Sequence, residues 1–202
     1  MNFLAHQYLS FDSKPVMVGN FIADTVKGAV SETYPKGIQL GIHVHRAIDE
    51  YTDSHPIVLE TRKLLYPNFG KYAAVVQDVY YDHFLAINWG KYRDDRLHDF
   101  VLQVYQTLNA NKEMMNAKAL RILYYMEKHD WLTNYSTIRG IDRALQGLSH
   151  RASFPSNMEN GIPPLKDNFA VLSQHFTTFF PELEKEITTR FGLEVQEANP
   201  HL

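Results

Sequence analysis

The sequence of 202 residues contains no cysteine. This absence excludes a disulfide framework, a thiolate nucleophile and thiolate metal ligands. Any metal must therefore be held by His, Asp, Glu, Asn or water, and ligand sets rich in oxygen favour manganese, magnesium or iron. The lack of cysteine thus narrows both the nucleophile and the metal that this chain can use.

Long apolar runs and an excess of positive charge are missing as well. Nowhere do roughly 18 uninterrupted apolar residues occur, and the chain begins Met-Asn-Phe-Leu-Ala-His without a basic segment, so we expect a cytoplasmic protein with no membrane partner. The formal net charge is -3 and the pI is near 6.4. Because proteins that bind nucleic acid usually carry a basic face, we also expect no nucleic-acid partner.

Strict alternation of apolar and polar residues is scarce too. Apolar residues recur instead at spacings of three and four along most of the chain, which predicts an all-α fold. The length is typical of one domain, so we expect a single-domain helical bundle over residues 1–202.

The expected helices have recognisable starts and ends. The predicted spans are Asn2 to Leu9, Ser13 to near Gly28, a third helix ending at about Asp53, a fifth from about Phe69 to Trp89, and residues 165–191 as one helix or two broken near Pro181. An irregular loop is expected at residues 152–164, which contain three prolines and a glycine, and a frayed tail at residues 194–202.

Two segments concentrate side chains that could carry out chemistry. Residues four apart share one face of a helix, so His45, Asp49 and Asp53 project in one direction. In a second segment, Asp78 and Asp82 are also four apart and have apolar neighbours. An ionised carboxylate on an apolar face needs a cation, hydrogen-bond donors or solvent. The two helices could therefore share one cation.

A structural explanation competes with a metal site for each of these residues. Buried carboxylates are often paired with arginine, and a lone histidine is more often structural than a ligand. His43 and His45 point to different sides of a helix, so at most one is a ligand, and we favour His45 because it aligns with Asp49. Arg46 has the fork geometry that suits a phosphate oxygen, but an ordinary ion-paired arginine fits the pattern as well.

Several blocks of residues together carry a resemblance to a known family. They are Met1-Asn2-Phe3-Leu4-Ala5-His6, Gly19-Asn20-Phe21-Ile22-Ala23-Asp24, Gly41-Ile42-His43-Val44-His45-Arg46-Ala47-Ile48-Asp49, Asp78-Val79, Asp82-His83-Phe84-Leu85 and Gly147-Leu148-Ser149-His150-Arg151. In this combination the chain resembles acyl carrier protein phosphodiesterase over essentially its full length. The resemblance implies hydrolysis of the phosphodiester that joins 4′-phosphopantetheine to a serine of holo-acyl carrier protein, which yields the apo form. It also implies manganese as the metal and a distant kinship to HD-type metal phosphohydrolases.

The resemblance and the residue patterns together define a candidate site. The predicted metal ligands are drawn from His6, Asp24, His45, Asp78 and Asp82, with Mn²⁺ expected and Mg²⁺ or Fe²⁺ as alternatives. His43 or His83 is the predicted proton donor to the departing serine oxygen, and Arg46 the predicted contact to phosphate. Asn2, Asn20 and Asp49, which also match the polar signature of the family, are expected to bind substrate.

The expected partner is acyl carrier protein, which is typically acidic, although this chain is itself slightly acidic. We therefore expect a local basic surface. The segment from Lys118 to Arg151 carries six basic and three acidic residues, and we predict that Arg139, Arg143 and Arg151 bind the carrier. A solvated helix face is the competing explanation of this charge.

Two other functions are compatible with the sequence. One is a metal phosphohydrolase that acts on a small phosphodiester or a nucleotide through the same residues. The other is a helical binding module without catalysis, in which the carboxylates and histidines are structural.

Overall fold

The predicted all-α architecture is confirmed in a computed structural model of the chain, which describes residues 1–193. Eleven α-helices and no strand form within these residues. Their bounds are α1 Phe3–Tyr8, α2 Lys14–Ile22, α3 Lys36–Ser54, α4 Pro56–Phe69, α5 Ala73–Ile87, α6 Leu97–Asn109, α7 Ala117–Lys128, α8 Trp131–Asn134, α9 Ile138–Arg151, α10 Ile162–Asp167 and α11 Phe169–Phe191. Over that part of the chain, no helix has both the length and the apolar character needed to cross a membrane. The tail expected at residues 194–202 lies outside the described residues.

Several helix ends differ from the predicted ones. α2 stops at Ile22, where Thr25 donates its hydroxyl proton to the carbonyl oxygen of Ile22 at 2.7 Å, and a short 3₁₀ turn replaces the expected continuation to Gly28. Gly70 ends α4 with a positive φ of 52°, and a 3₁₀ turn over Gly70–Tyr72 precedes α5, which begins only at Ala73. α11 continues through Pro181 without a break, and α10 begins inside the segment expected to be an irregular loop.

α5 lies at the centre of the bundle. Its buried residues occupy nearly every side of the helix, as expected for a helix that is surrounded by other elements. Aromatic side chains of α11 pack on it, with the ring of Phe176 centred 5.5 Å from that of Tyr81. α11 also contacts α1, because Tyr8 of α1 donates its hydroxyl proton to Glu184 of α11 at 2.6 Å. α5 and α11 thus form a fixed support for the short α1.

α2 and α3 cross at a contact between two glycines. A Cβ added to Gly19 would lie 2.8 Å from the Cα of Gly41, and a Cβ added to Gly41 would lie 2.8 Å from the Cα of Gly19. Each added carbon would also overlap a backbone carbonyl oxygen of the other helix, that of Ile38 or Val16. Only glycine at both positions therefore allows the two backbones to approach so closely.

We predict that Gly19→Ala destabilises the protein by about 1–3 kcal/mol, the usual range for overpacking. Helix propensity alone favours alanine by about 0.8–1.0 kcal/mol. A lower free energy of unfolding in Gly19→Ala would therefore show that the close crossing of α2 and α3 requires glycine. The measurement is the free energy of unfolding in urea. Gly147→Ala in α9 is the matched control, because a Cβ there meets no atom within 4 Å, and it should leave stability equal or raise it. Equal gains in both variants would contradict a tight crossing.

Candidate metal centre

The side chains of His6 in α1 and His45 in α3 meet through Asn20 in α2. Nδ1 of His6 lies 2.9 Å from Oδ1 of Asn20, and Nδ1 of His45 lies 3.0 Å from the same oxygen. Nδ2 of Asn20 donates to the backbone carbonyl oxygen of His6 at 2.6 Å. Because a carbonyl oxygen can only accept, this bond fixes the orientation of the amide. Both imidazoles must then donate a proton from Nδ1 to Asn20.

This arrangement turns Nε2 of both imidazoles toward carboxylates. Nε2 of His6 lies 3.2 Å from Oδ1 of Asp49, and Nε2 of His45 lies 3.2 Å from Oδ2 of Asp49. Nε2 of His45 is also 3.3 Å from Oδ1 of Asp24. A neutral imidazole that is protonated at Nδ1 has a lone pair at Nε2, which repels a carboxylate oxygen. The arrangement is therefore favourable only when a proton or a metal cation lies between these atoms.

The nitrogen and oxygen atoms are close enough to bind one ion together. Ligand atoms of His6, His45 and Asp49 all lie within 4.8 Å of one another. The two imidazole rings are stacked with their centroids 4.1 Å apart. Two buried imidazoles and one half-buried carboxylate thus form a compact set of candidate metal ligands.

The pKa values describe where a proton lies when no metal is bound. Burial opposes a charged imidazole, but the hydrogen bonds of His45 to Asp24 and Asp49 outweigh it and raise the pKa of His45 to about 9. Burial and the nearby charge of His45 lower the pKa of His6. Burial also opposes a charged Asp49, yet the hydrogen bond from His45 and the positive charge of the Met1 amine bring the pKa of Asp49 well below its usual range. At neutral pH the proton therefore resides on His45.

These ligands line a cavity of about 390 Å³. Asp78 of α5 is also in its wall, with Oδ1 3.1 Å from the backbone amine of Met1. Arg62 reaches the wall from α4, where its guanidinium donates to Asp53 at 2.6 Å and to Gln77 at 3.1 Å. Arg62 is not among the residues predicted for the site, because no local pattern shows that α4 faces the helix bearing His45.

The described residues that line this cavity include the other four predicted ligands but not Asp82. It is fully buried, and its two oxygens accept hydrogen bonds from the backbone N–H groups of Leu4 at 2.8 Å and Ala5 at 3.2 Å. Burial raises the pKa of Asp82 to about 7. The structure thus places this carboxylate at the first turn of α1, where it satisfies backbone donors, rather than beside the imidazoles.

The predicted catalytic residues also lie elsewhere. His43 is exposed on α3, on a different side of the helix from His45. His83 is buried, with Nδ1 2.7 Å from the carbonyl oxygen of Tyr135. Arg46 donates to the carbonyl oxygens of Gly28 at 2.8 Å and Val26 at 3.4 Å. As described over residues 1–193, the cavity wall includes none of the three.

The residues expected to bind substrate occupy two adjoining places. Asn2, Asn20 and Asp49 line the cavity, and Asp49 contacts both imidazoles, so its position is that of a metal ligand. Arg143 and Arg151 line a neighbouring groove along α9. Arg139 is exposed on α9, one turn before Arg143.

Comparison with known proteins places the chain among its relatives. The family model described as "Acyl carrier protein phosphodiesterase" matches residues 1–183. The chain belongs to this family. It is similar to acyl carrier protein phosphodiesterase of Yersinia enterocolitica, with 30% identity over 184 residues that cover 91% of this chain and 95% of the relative. The family member of Photorhabdus laumondii is 28% identical over 182 residues, which cover 90% of this chain and 92% of the relative. That of Yersinia pestis is 28% identical over 187 residues, which cover 92% and 97%.

No solved structure matches this chain. Kinship of the family to HD-type metal phosphohydrolases therefore stays a prediction.

We predict that Asn20→Ala weakens Mn²⁺ binding by about 10- to 100-fold, the usual effect of removing a group that orients metal ligands. Without Oδ1 of Asn20, neither imidazole is held with its Nε2 toward Asp49. Calorimetric titration of the metal-free protein with Mn²⁺ measures the change. Asn88→Ala is the matched control, because within residues 1–193 the one acceptor of Asn88 Nδ2 is the carbonyl oxygen of Phe84, at 2.9 Å in the last turn of α5. Equal affinities in both variants would contradict the role of Asn20.

We predict that His45 titrates near pH 9 in the metal-free protein, well above its ordinary pKa of 6.5. A pKa that is higher in the folded state gives stability that is complete below pH 6.5 and is lost as the pH rises through about 9. The imidazole signals in NMR spectra, assigned with His45→Gln, report the titration. Asp24→Asn should lower the pKa because it removes one carboxylate. A His45 pKa below 6.5 would show that burial outweighs both carboxylates.

Proposed function

We propose that the chain is a metal-dependent phosphodiesterase that hydrolyses the bond between 4′-phosphopantetheine and a serine of holo-acyl carrier protein and releases the apo form. The observation that carries the proposal is the convergence of His6, His45 and Asp49, oriented by Asn20, in a member of a family whose relatives are named for this activity. The proposed location is the cytoplasm, where the carrier substrate would be met.

The donor atoms fit the expected cation. Two imidazole nitrogens and carboxylate oxygens, with no sulfur in the sequence that could act as a thiolate, suit Mn²⁺, with Fe²⁺ or Mg²⁺ as alternatives. His6, His45 and Asp49 would hold the ion, and Asp24 lies beside His45 as a further ligand. When bound, such a cation polarises a phosphoryl oxygen and lowers the pKa of a water molecule. Asp78, whose carboxylate pairs with the amine of Met1 at 3.1 Å, lies in the same cavity wall.

We assign the contact to the substrate phosphate, which was predicted for Arg46, to Arg62. Arg62 is the one guanidinium that lines the cavity among the described residues, and its hydrogen bonds to Asp53 and Gln77 hold it there. A planar guanidinium held by neighbours can donate to two phosphoryl oxygens at once. It would therefore bind the negatively charged phosphodiester next to the two imidazoles.

Arginines on α9 would receive the carrier protein. Arg143 and Arg151 are exposed beside the cavity, with Arg139 one turn away. Positive charge at this rim complements an acidic carrier and would speed its association. The local surface thus compensates for the slightly negative charge of the whole chain.

The direct test is incubation of the purified protein with holo-acyl carrier protein and Mn²⁺, followed by the intact mass of the carrier. We expect the mass of the apo form, and a chelator should prevent its appearance. If the carrier is unchanged but a small phosphodiester or a nucleotide is hydrolysed, the alternative phosphohydrolase is correct. If the protein hydrolyses none of these and binds no Mn²⁺, it is a binding module.

We predict that Arg62→Lys lowers kcat/KM by roughly ten- to a hundredfold, because hydrogen bonds to charged groups contribute about 1.5–3 kcal/mol and lysine loses the planar fork. Mn²⁺ content should remain full. Arg46→Lys is the matched control, since in the described part of the chain the guanidinium of Arg46 donates to backbone carbonyl oxygens of the preceding loop, and its turnover should be close to that of the wild type. A loss in Arg46→Lys with none in Arg62→Lys would return the phosphate contact to Arg46.

A further inference from the structure

A groove of about 530 Å³ runs along α9 beside the metal cavity. This volume falls in the range of about 300–1,000 Å³ that is typical of small-molecule sites. Asn2, Phe3 and Leu148 line both spaces, so the groove adjoins the cavity directly. Gly140, at the far end of its α9 wall, precedes Leu148 by eight residues, which corresponds to about 12 Å along a helix.

The walls of this groove are mainly aromatic, aliphatic or small. Phe3 and Trp131 lie next to each other with ring centroids 6.2 Å apart. Ala144, Gly147 and Leu148 contribute the face of α9. The charged side chains of the groove, Arg143 and Arg151, are exposed at its rim. Such a space suits a long, uncharged ligand whose charged end lies outside it.

Helix packing explains one glycine of α9, Gly140, but not a second one, Gly147. A Cβ on Gly140 would overlap the carbonyl oxygen of Asn134, so packing of α8 on α9 explains that glycine. A Cβ on Gly147 would meet no atom of residues 1–193 within 4 Å, although glycine inside a helix is less favourable than alanine by about 0.8–1.0 kcal/mol. Packing therefore does not explain Gly147, which faces the open space of the groove.

We propose that this groove holds the pantetheine arm of the carrier substrate, with the phosphate in the metal cavity and the arm along α9. This inference rests on the proposed function. The phosphodiester of the substrate joins two groups, which are a folded carrier protein and the thin, uncharged pantetheine arm. Only the arm fits between Phe3, Trp131 and α9. The acidic protein on the other side would then face the exposed guanidinium groups of Arg143 and Arg151.

Gly147→Leu tests the groove at a position where an added Cβ meets no atom of the described residues within 4 Å. The added side chain occupies the groove, so kcat/KM for holo-acyl carrier protein should fall at least tenfold. Hydrolysis of bis(p-nitrophenyl) phosphate, which has no pantetheine, should change less than twofold, and Mn²⁺ affinity should be unchanged. Gly90→Leu is the matched control, because a Cβ on Gly90 also meets no atom within 4 Å and this residue lies outside the groove. It should leave both reactions unchanged.

A second measurement does not depend on catalysis. Free pantetheine at millimolar concentration should shift the indole N–H signal of Trp131 in NMR spectra of the wild type, assigned with Trp131→Phe, and should not shift it in Gly147→Leu. If the wild type does not hydrolyse the carrier but pantetheine shifts this signal, the proposed function fails and the groove assignment stands.

Three results would overturn the groove assignment. The first is a wild type that hydrolyses the carrier while Gly147→Leu retains full kcat/KM. The second is the absence of any shift of Trp131 with pantetheine. The third is a shift of Trp131 with adenosine monophosphate but not with pantetheine, which would make the groove a nucleotide site.

Discussion

The amide of Asn20 is the contact on which the candidate metal centre depends. Its oxygen accepts from both imidazoles and its nitrogen donates to the backbone of α1, so a single side chain joins α1, α2 and α3. The amide can reach both histidines because Gly19 and Gly41 let two helices approach to backbone contact. The two glycines thus set the spacing between α2 and α3 at which Asn20 forms a hydrogen bond with His45.

Charge balance explains why these side chains tolerate burial. Two imidazoles point their Nε2 atoms at carboxylates, and this geometry needs positive charge between them. In the metal-free protein a proton on His45 provides it for the contacts of that imidazole, and the proposed cation would provide it for both imidazoles. Because the same atoms would bind either, a proton and the proposed metal would compete for the site, and Arg62 would then remain to bind the proposed anionic substrate.

The sequence predicted the helical class and the family because both depend on patterns that are local or contiguous. It also selected His6, Asp24 and His45, which the structure brings together. It could not predict which face of α5 meets α1, and for this reason Asp82 was expected beside the imidazoles instead of at backbone N–H groups. The periodicity of a sequence shows which face of a helix a residue lies on, but not which other helix packs against that face. Arg62 was missed for the same reason.

Asp82 also affects how sequence variation in this family should be read. The six-residue α1 is far too short to persist alone, and the buried carboxylate of α5 holds the first turn of the helix that carries His6. Substitutions at residue 82 would therefore displace an imidazole that they never touch. In a screen for inactive variants, substitutions at residue 82 would lower activity as much as substitutions of the residues that line the cavity. Invariance of a residue among homologues would likewise not distinguish a group that binds an ion from one that anchors a helix.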